Sequence, residues 1–347
     1  MKKKKPKKIK EKVKKKNWLF YALMVFLLAI VVFFLYLLRK PEGYSQNFEW
    51  NIAFSKIWSA RLGLDWQANY LAILDELKPK KIRLPIYWQE VESSEGNFNF
   101  VDYDWMNQEA EKRGIETILV VGRKTPRWPE CNMPEWVKAR QMDEQKKAVL
   151  KMLPVVVNHY KNFKNVVAFQ VENEPFLNFG DCPLFGGDFL DQEIALVKML
   201  DKNRPIIVTD SGELSYWLQA AKRADIFGTT MYRVVNSPRF GYVEYPFPPR
   251  FFWFKANLVH LFYPGKPITI SELQAEPWGE KMIYDMSVPE QMKSMDLARF
   301  NSNIAYAKEV GFSEIYLWGA EWWYWMKVHE NRPEYWEGAR RMIESSK

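Results

Sequence analysis

Eight short apolar runs, separated by stretches with helical periodicity, constrain the fold of this 347-residue chain more than any other feature. Each run has five or six residues, mostly aliphatic, β-branched or aromatic. The runs cover residues 50–55, 81–85, 116–121, 166–171, 205–209, 226–230, 267–271 and 314–318. Continuous apolar runs of this length are typical of parallel strands that are buried on both faces. The alternation therefore predicts the α/β class.

Two of the intervening stretches show helical spacing most clearly. In residues 287–310, apolar side chains recur every three or four positions. Ser287 and Glu290 match a capping box at the start of this stretch, and Gly311 predicts its end. A second helix is predicted over residues 66–77.

Eight strand–helix units over residues 47–347 fit a single (β/α)₈ barrel. A doubly wound open sheet is the alternative architecture. It is disfavoured because no Gly-x-Gly-x-x-Gly sequence follows the first predicted strand. The barrel is therefore the predicted fold.

The positive charge of the chain is confined to its N-terminus. Residues 1–16 contain eleven lysines and one glutamate, so the net charge of +8 becomes −2 for the rest of the chain. A basic protein would normally suggest nucleic-acid binding. Here the basic residues precede an apolar stretch directly, so no nucleic-acid partner is predicted and residues 1–16 are expected to form a cytoplasmic tail.

The apolar stretch, residues 18–38, contains no charged side chain and is long enough to cross a bilayer core of about 30 Å. A cleavable signal peptide is the alternative, but such a segment has a shorter apolar region that ends in small residues. We therefore predict an uncleaved transmembrane anchor over residues 17–38, followed by a linker over residues 39–46. The lysines before the span place the N-terminus in the cytoplasm and the barrel outside.

Two glutamates follow predicted strands directly. Asn173, Glu174 and Pro175 come after the fourth strand, and Glu272 comes after the seventh, 98 positions later. Hydrolysis of a glycosidic bond needs one carboxyl group to protonate the leaving oxygen and a second to attack or stabilise the anomeric carbon. Residues at the carboxyl ends of barrel strands share one active-site mouth. The pair is therefore predicted to be catalytic.

With these two motifs the chain resembles the clan A glycoside hydrolases, among which cellulase-like family 5 is similar. The resemblance implies that Glu174 is the acid/base and Glu272 the nucleophile of a retaining enzyme. It also implies that Asn173 binds the sugar hydroxyl next to the anomeric carbon, and that Arg83 and Tyr232 orient the nucleophile. Structural roles for Arg83, as an ion-pair partner, and for Tyr232, as a core aromatic, are the alternatives.

Further residues near strand ends complete the predicted substrate-binding set. Trp318, which ends the eighth strand, matches the clan's platform for the sugar being cleaved. Trp88 lies near the end of the second strand, and Glu321 follows the eighth. Packing within the loops is the alternative for each tryptophan. Family 5 often has a histidine two residues before the tyrosine, where this chain has Thr230, and residues 87–100 look more like β-galactosidase-type families of the clan.

The only two cysteines, Cys131 and Cys182, fall in loops after predicted strands. In a parallel barrel these loops are neighbours on one face, and an exported location favours a disulfide between them. Two buried thiols are the alternative. Neither cysteine has metal-ligand spacing to another cysteine or a histidine, so neither a metal site nor a cofactor is predicted. No Gly-x-Ser-x-Gly elbow of a serine hydrolase occurs.

The sequence thus predicts a membrane-anchored, extracytoplasmic, retaining glycosidase that acts on a β-linked oligo- or polysaccharide. The alternatives are an exo-acting β-galactosidase- or β-mannosidase-like enzyme, transfer of sugars in place of hydrolysis, and a non-catalytic carbohydrate-binding surface protein.

Overall fold

The computed structural model describes residues 7–37, 39 and 47–345. Within them ten strands and fourteen α-helices occur. The strands are β1 Glu49–Ala53, β2 Lys81–Pro85, β3 Glu116–Val121, β4 Val166–Val171, β5 Ile206–Asp210, β6 Ile226–Met231, β7 Val234–Ser237, β8 Gly241–Glu244, β9 Ile268–Gln274 and β10 Glu314–Trp318. The helices are α1 Lys7–Leu37, α2 Lys56–Arg61, α3 Trp66–Ala72, α4 Trp88–Val91, α5 Val101–Lys112, α6 Glu135–Lys138, α7 Met142–Tyr160, α8 Gly187–Leu200, α9 Leu218–Arg223, α10 Pro249–Phe262, α11 Val288–Gln291, α12 Leu297–Val310, α13 Ala320–His329 and α14 Glu334–Glu344.

Eight of the strands close into a parallel barrel. Their order around it is β1-β10-β9-β6-β5-β4-β3-β2, and β1 pairs with β2 to complete the ring. The predicted (β/α)₈ barrel is therefore confirmed, and the open-sheet alternative is excluded by closure. Strands β7 and β8 form a separate antiparallel hairpin after β6, which makes β9 the seventh barrel strand and β10 the eighth.

Four predicted strands, β2, β3, β4 and β10, have the bounds that the apolar runs indicate. The other four differ by one to three residues at an end. The largest difference is in β9, which continues to Gln274 and so contains Glu272 near its carboxyl end. The β7–β8 hairpin was not predicted from the sequence.

The helix predicted over residues 287–310 is wrong as a single element. The chain forms a short helix α11, leaves helical geometry, and begins α12 at a new cap, Asp296, whose side chain accepts the Arg299 N–H at 2.7 Å. Ser287 makes no capping hydrogen bond through its side chain. The predicted end at Gly311 is found, with the left-handed φ of +84° that favours glycine.

The helix predicted over residues 66–77 forms as α3 and a following π-helical turn, Ile73–Leu77. Asp65 caps its start by accepting the N–H groups of Gln67 and Ala68. The π turn inserts an extra residue without ending the helical path.

Two apolar regions hold the barrel together. The larger one lies between the strands and the surrounding helices. The smaller one, inside the barrel, consists of Ile118, Ala168, Ile207 and Tyr316. Above this small interior layer the barrel is polar, which sets the position of the site described below.

Helix α1 contains one segment, Trp18–Leu37, that is long and apolar enough to cross a membrane. A signal sequence has the same properties. Near its end α1 packs on α10, where the rings of Phe33 and Phe254 lie 5.3 Å apart and the Arg250 guanidinium lies 4.3 Å from the Tyr36 ring centre. The predicted linker, residues 39–46, falls outside the described residues except for Arg39, as do residues 1–6 of the predicted tail, so the predicted domain boundaries stay predictions.

Candidate active site

The two predicted catalytic glutamates lie at the carboxyl-terminal mouth of the barrel. Glu174 stands three residues beyond the end of β4, and Glu272 lies near the end of β9. Both side chains line a cavity of about 240 Å³, together with residues of the loops after β4, β5, β6 and β9. Both are buried, with exposed fractions of 6% and 4%. The fold therefore brings together two carboxyl groups that are distant in the sequence.

Two donors hold Glu272. The Arg83 Nη1 group donates to Oε1 at 2.9 Å, and the Tyr232 hydroxyl donates to Oε2 at 2.8 Å. Burial and the adjacent charge of Glu272 raise the pKa of Tyr232 well above its usual value, so the phenol keeps the proton that it donates. Both carboxylate oxygens of Glu272 are thus oriented by charge-assisted hydrogen bonds.

Arg83 also organises Asn173. Its Nη2 group donates to Asn173 Oδ1 at 2.9 Å, and its Nε donates to Gln170 Oε1 at 2.8 Å. The Asn173 amide nitrogen is buried and has no hydrogen-bond partner among the described residues. Because an unpaired buried donor is unfavourable, this amide group is a suitable place for an acceptor on a bound molecule.

Glu174 has a different environment. Its Oε1 accepts the Thr230 hydroxyl at 2.9 Å, and its backbone N–H donates to Thr209 Oγ1 at 3.0 Å. Its φ of +44° is unusual for a residue other than glycine and turns the chain sharply at the strand end. Burial, followed by the nearby charges of Glu130 and Glu272, raises the pKa of Glu174 well above its usual value.

Glu130 is a third carboxyl group in the same cavity, and it was missed in the sequence. Lys124 donates to its Oε2 at 2.8 Å and to the Glu174 carbonyl oxygen at 3.2 Å. Burial outweighs the lysine and raises the pKa of Glu130 to about 7. Its position next to Cys131, in a loop predicted to border the site, was the available signal.

Glu213, in the loop after β5, is a fourth acid of the cavity. Its Oε1 accepts the Tyr232 backbone N–H at 2.9 Å, and burial raises its pKa to about 8. This bond fixes the backbone at the residue whose hydroxyl holds Glu272.

Arg127 is a buried arginine at the same end of the barrel, outside the cavity that holds the two glutamates. The Arg127 guanidinium lies between two indole rings, 3.9 Å from the centre of Trp318 and 4.6 Å from that of Trp58. It forms ion pairs with Glu276 and, at 2.9 Å, with Glu321. We call these five residues the Arg127 cluster. These residues are at most 6% exposed, so little space remains among them.

Two of the predicted substrate-binding residues, Trp318 and Glu321, belong to the Arg127 cluster. The Arg127 guanidinium covers a face of Trp318, which is 5% exposed. Glu321 is fully buried, and it accepts the Ser55 backbone N–H at 2.6 Å in addition to Arg127. The structure therefore places Glu321 in a supporting position rather than at the cavity surface.

Trp88 lies in the core, contrary to the predicted contact with substrate. Its side chain is 1% exposed, its indole N–H donates to Glu92 at 2.6 Å, and its ring meets the edge of Trp136. The residue begins helix α4, and its burial leaves no surface for a substrate to contact.

Cys131 and Cys182 are joined in a disulfide, with Cα atoms 4.8 Å apart. The bond connects the loop after β3 to the loop after β4, next to Glu130 and close to the segment that carries Glu174. Among the residues that the structure describes, no group of three or more His, Cys, Asp or Glu side chains is placed to hold a metal ion.

No protein-family model matches the sequence, and no curated protein matches it. Several solved structures are similar in fold. Xylanase 10B from Thermotoga maritima is 16% identical, with 86% of this chain and 97% of that chain covered and a TM-score of 0.57. A GH5_18 protein from Bifidobacterium longum in complex with Manβ1-4GlcNAc is 12% identical, with 78% and 68% covered and a TM-score of 0.55.

A β-galactosidase from the psychrophilic Marinomonas ef1 is 11% identical, with 78% of this chain covered and a TM-score of 0.54. This chain spans only 54% of that protein's length. At such identities the likeness concerns the fold. The fold that the sequence resemblance to clan A implies is therefore confirmed: the chain has the (β/α)₈ barrel of these glycosidase structures.

Proposed function

We propose that this protein is a membrane-anchored retaining glycoside hydrolase that cleaves a β-linked glycan. The observation that carries the proposal is the unequal environment of two carboxyl groups in one cavity. Glu272 is held by an arginine and a tyrosine, whereas Glu174 is buried beside other acids that raise its pKa. A carboxylate nucleophile and a protonated general acid require this difference.

In the first step a Glu272 oxygen attacks the anomeric carbon. The bond from that carbon to the leaving oxygen breaks, and Glu174 transfers its proton to this oxygen. In the second step the ionised Glu174 removes a proton from a water molecule, whose oxygen attacks the anomeric carbon and releases Glu272. Both glutamates return to their initial states, and one water is consumed per bond cleaved.

Three further residues support these steps. Arg83 and Tyr232 orient the Glu272 carboxylate and stabilise it when it leaves in the second step. The unpaired amide nitrogen of Asn173 lies in a buried polar cluster and would donate to a hydroxyl of the sugar being cleaved. Such a hydrogen bond contributes about 0.5–1.5 kcal/mol between neutral partners.

The shape of the mouth favours the exo-acting alternative. The cavity extends over the loops after β4, β5 and β6, on the side of Glu174, and this residue must contact the leaving group. Beyond Glu272 the Arg127 cluster occupies the mouth. The leaving portion of a glycan therefore has room, whereas the buried Arg127 cluster leaves little space on the other side, which supports the binding of no more than one sugar there.

Aromatic rings border the open side. Trp278 lies 5.3 Å from Tyr232 and 5.8 Å from Phe179, measured between ring centres, and Phe179 in turn contacts Trp128. Trp128 is 41% exposed. Flat aromatic surfaces of this kind suit the apolar faces of sugar rings, which supports a saccharide as the leaving portion.

A panel of aryl β-glycosides, incubated with the detergent-solubilised full chain, tests the proposal. Glu272→Gln should abolish turnover. Glu174→Ala should lose about 10²–10⁴-fold on substrates with poor leaving groups and much less on activated ones, with rescue by azide. A chain that cleaves none of these substrates but binds oligosaccharides would support the non-catalytic alternative, and wild-type rates in both variants would refute the assignment.

The stereochemical course tests the mechanism separately. The retaining mechanism predicts a β-configured first product, observable by proton NMR at early times, and carboxyl groups about 5–5.5 Å apart. An α-configured product would indicate inversion. On an oligosaccharide labelled at its reducing end, the exo mode predicts early products that are shorter by one sugar, whereas endo action would give fragments of intermediate length.

A further inference from the structure

Helix α10 is unusual in its composition and surroundings. Between Glu244 and Glu272 the chain contains no acidic residue, and the segment that forms α10 reads Pro-Arg-Phe-Phe-Trp-Phe-Lys-Ala-Asn-Leu-Val-His-Leu-Phe. Near its end, Leu261 is 73% exposed and Phe262 is 58% exposed. Adjacent large apolar side chains with this exposure mark an interaction surface more often than a solvated face.

The exposed side chains continue the face that contacts helix α1. Arg250 and Phe254, four positions apart, contact Tyr36 and Phe33 respectively. On a helix, residues 250, 254, 258 and 261 share one face. The face that carries Phe254, Leu258, Leu261 and Phe262, here called the α10 apolar face, is therefore covered by α1 only at its beginning.

The same contacts show the relative direction of helices α1 and α10. Along α1 the residue number falls from 36 to 33 as it rises along α10 from 250 to 254, so the two helices run in opposite directions. Phe33 lies four residues inside the end of the apolar segment Trp18–Leu37, about 6 Å at 1.5 Å per residue. Leu261 lies seven residues beyond Phe254, up to about 10 Å further along α10 in the same direction.

We infer that the α10 apolar face inserts into the bilayer leaflet beside the anchor and holds the barrel against the membrane. This inference rests on the membrane anchor in the proposed function. If Trp18–Leu37 spans the bilayer, Phe254 lies about 6 Å below the outer end of the apolar segment, and Leu261 and Phe262 lie deeper, by up to about 10 Å more. The depth of Phe254 falls within the range of about 5–10 Å by which interfacial helices insert, and the exposed end of α10 reaches at least as deep.

The charges fit a lipid surface better than a protein partner. The segment from 245 to 271 contains no acidic residue that would repel anionic headgroups, and the two basic residues within α10, Arg250 and Lys255, are buried, so the exposed side of the helix carries no Lys, Arg, Asp or Glu. Trp253 is half-buried near the start of α10, where aromatic residues are favoured at membrane interfaces.

Single-cysteine labelling of the full chain in proteoliposomes tests the inference. The two native cysteines are joined, so an added cysteine is the free thiol. Leu261→Cys and, separately, Phe262→Cys would carry a nitroxide label. Val101→Cys is the matched control: Val101 is 69% exposed and begins α5, between β2 and β3, across the barrel from β6 and β9.

Labels at 261 and 262 should collide more with oxygen, which concentrates in lipid, than with a water-soluble nickel chelate, and the label at 101 should show the reverse. Carbonate extraction of the same samples reports on the anchor. A chain that stays in the membrane with labels at 261 and 262 as water-accessible as the label at 101 overturns the inference alone. A chain released by carbonate overturns the anchor and the inference together. Disulfide-linked dimers of the unlabelled Leu261→Cys variant would overturn the inference by assigning the face to a second copy.

Discussion

Glu174 and Glu272 are chemically identical, and the proposed function assigns them different roles because their neighbours differ. Glu272, the proposed nucleophile, accepts from two donors, one of them positively charged, whereas Glu174, the proposed acid, accepts from one hydroxyl and lies beside other acids. The charge of Glu130 is the largest contribution to the raised pKa of Glu174 after burial. In the proposed mechanism, Glu130 therefore acts through Glu174: its negative charge favours the protonated form of the acid.

A pH profile of Glu130→Gln tests this role. Removing the negative charge lowers the pKa of Glu174, and the general acid loses its proton as pH rises through that pKa. The alkaline limb of kcat/KM should therefore move to lower pH. The glutamine oxygen can still accept from Lys124, which limits structural change.

Glu213→Gln is the control, because Glu213 lines the same cavity but is not among the largest influences on the pKa of Glu174, and a glutamine oxygen can still accept the Tyr232 backbone N–H. Its profile should keep the wild-type alkaline limb. Equal shifts in both variants, or no shift in Glu130→Gln, would contradict the assignment of Glu130.

At the scale of single elements, the two helices α11 and α12 differ in how their N-termini are capped. Asp296 accepts a backbone N–H at the start of α12, whereas Ser287 makes no such bond at α11. We expect Asp296→Ala to lower the free energy of unfolding by about 0.5–2 kcal/mol, measured by urea denaturation of the detergent-solubilised chain. Ser287→Ala should change it little, and a larger effect of Ser287→Ala would show that the capping box predicted from the sequence does form.

The disulfide ties two loops of the mouth. Cys131 and Cys182 are separated by 51 positions, so their bridge restricts a long loop in the unfolded chain. Replacing both with serine should lower the free energy of unfolding by about 2–4 kcal/mol. Reduced wild-type protein should show a similar loss. If two thiols can be alkylated in protein that is isolated from membranes without reductant and then denatured, the bridge is absent in the cell.

At the scale of the whole molecule, the proposed topology has α1 cross the membrane and α10 rest against it. Because the apolar segment is long and does not end in small residues, we expect the anchor to remain uncleaved. Mass spectrometry of the membrane fraction should find the full chain, and protease added from outside should digest the barrel and spare the lysine-rich tail. A mature N-terminus near residues 40–46 would show that the anchor is cleaved. A barrel that resists external protease while the tail is digested would show the opposite orientation in the membrane.

The barrel itself was predictable because its information is local. Each buried parallel strand is a continuous apolar run, and four runs gave the bounds of β2, β3, β4 and β10 without error. The positions of Glu174 and Glu272 followed, because both come at the ends of such runs. The break before α12 was not predictable in the same way, since the apolar spacing continues across it and only the cap bond of Asp296 marks the new start.

The residues around the two glutamates were decided by tertiary structure. Thr230 lies near the end of β6, whereas Lys124 and Glu130 belong to the loop after β3, and no local pattern shows that the Thr230 hydroxyl and the Lys124 ammonium group both contact Glu174. Trp88 and Trp318 both stand at strand ends, yet one packs into the core and the other is covered by Arg127. Periodicity determines which elements form and at which end of a strand a residue lies. Burial, pKa and accessible faces depend on charges and rings brought together across the barrel, which no local pattern contains.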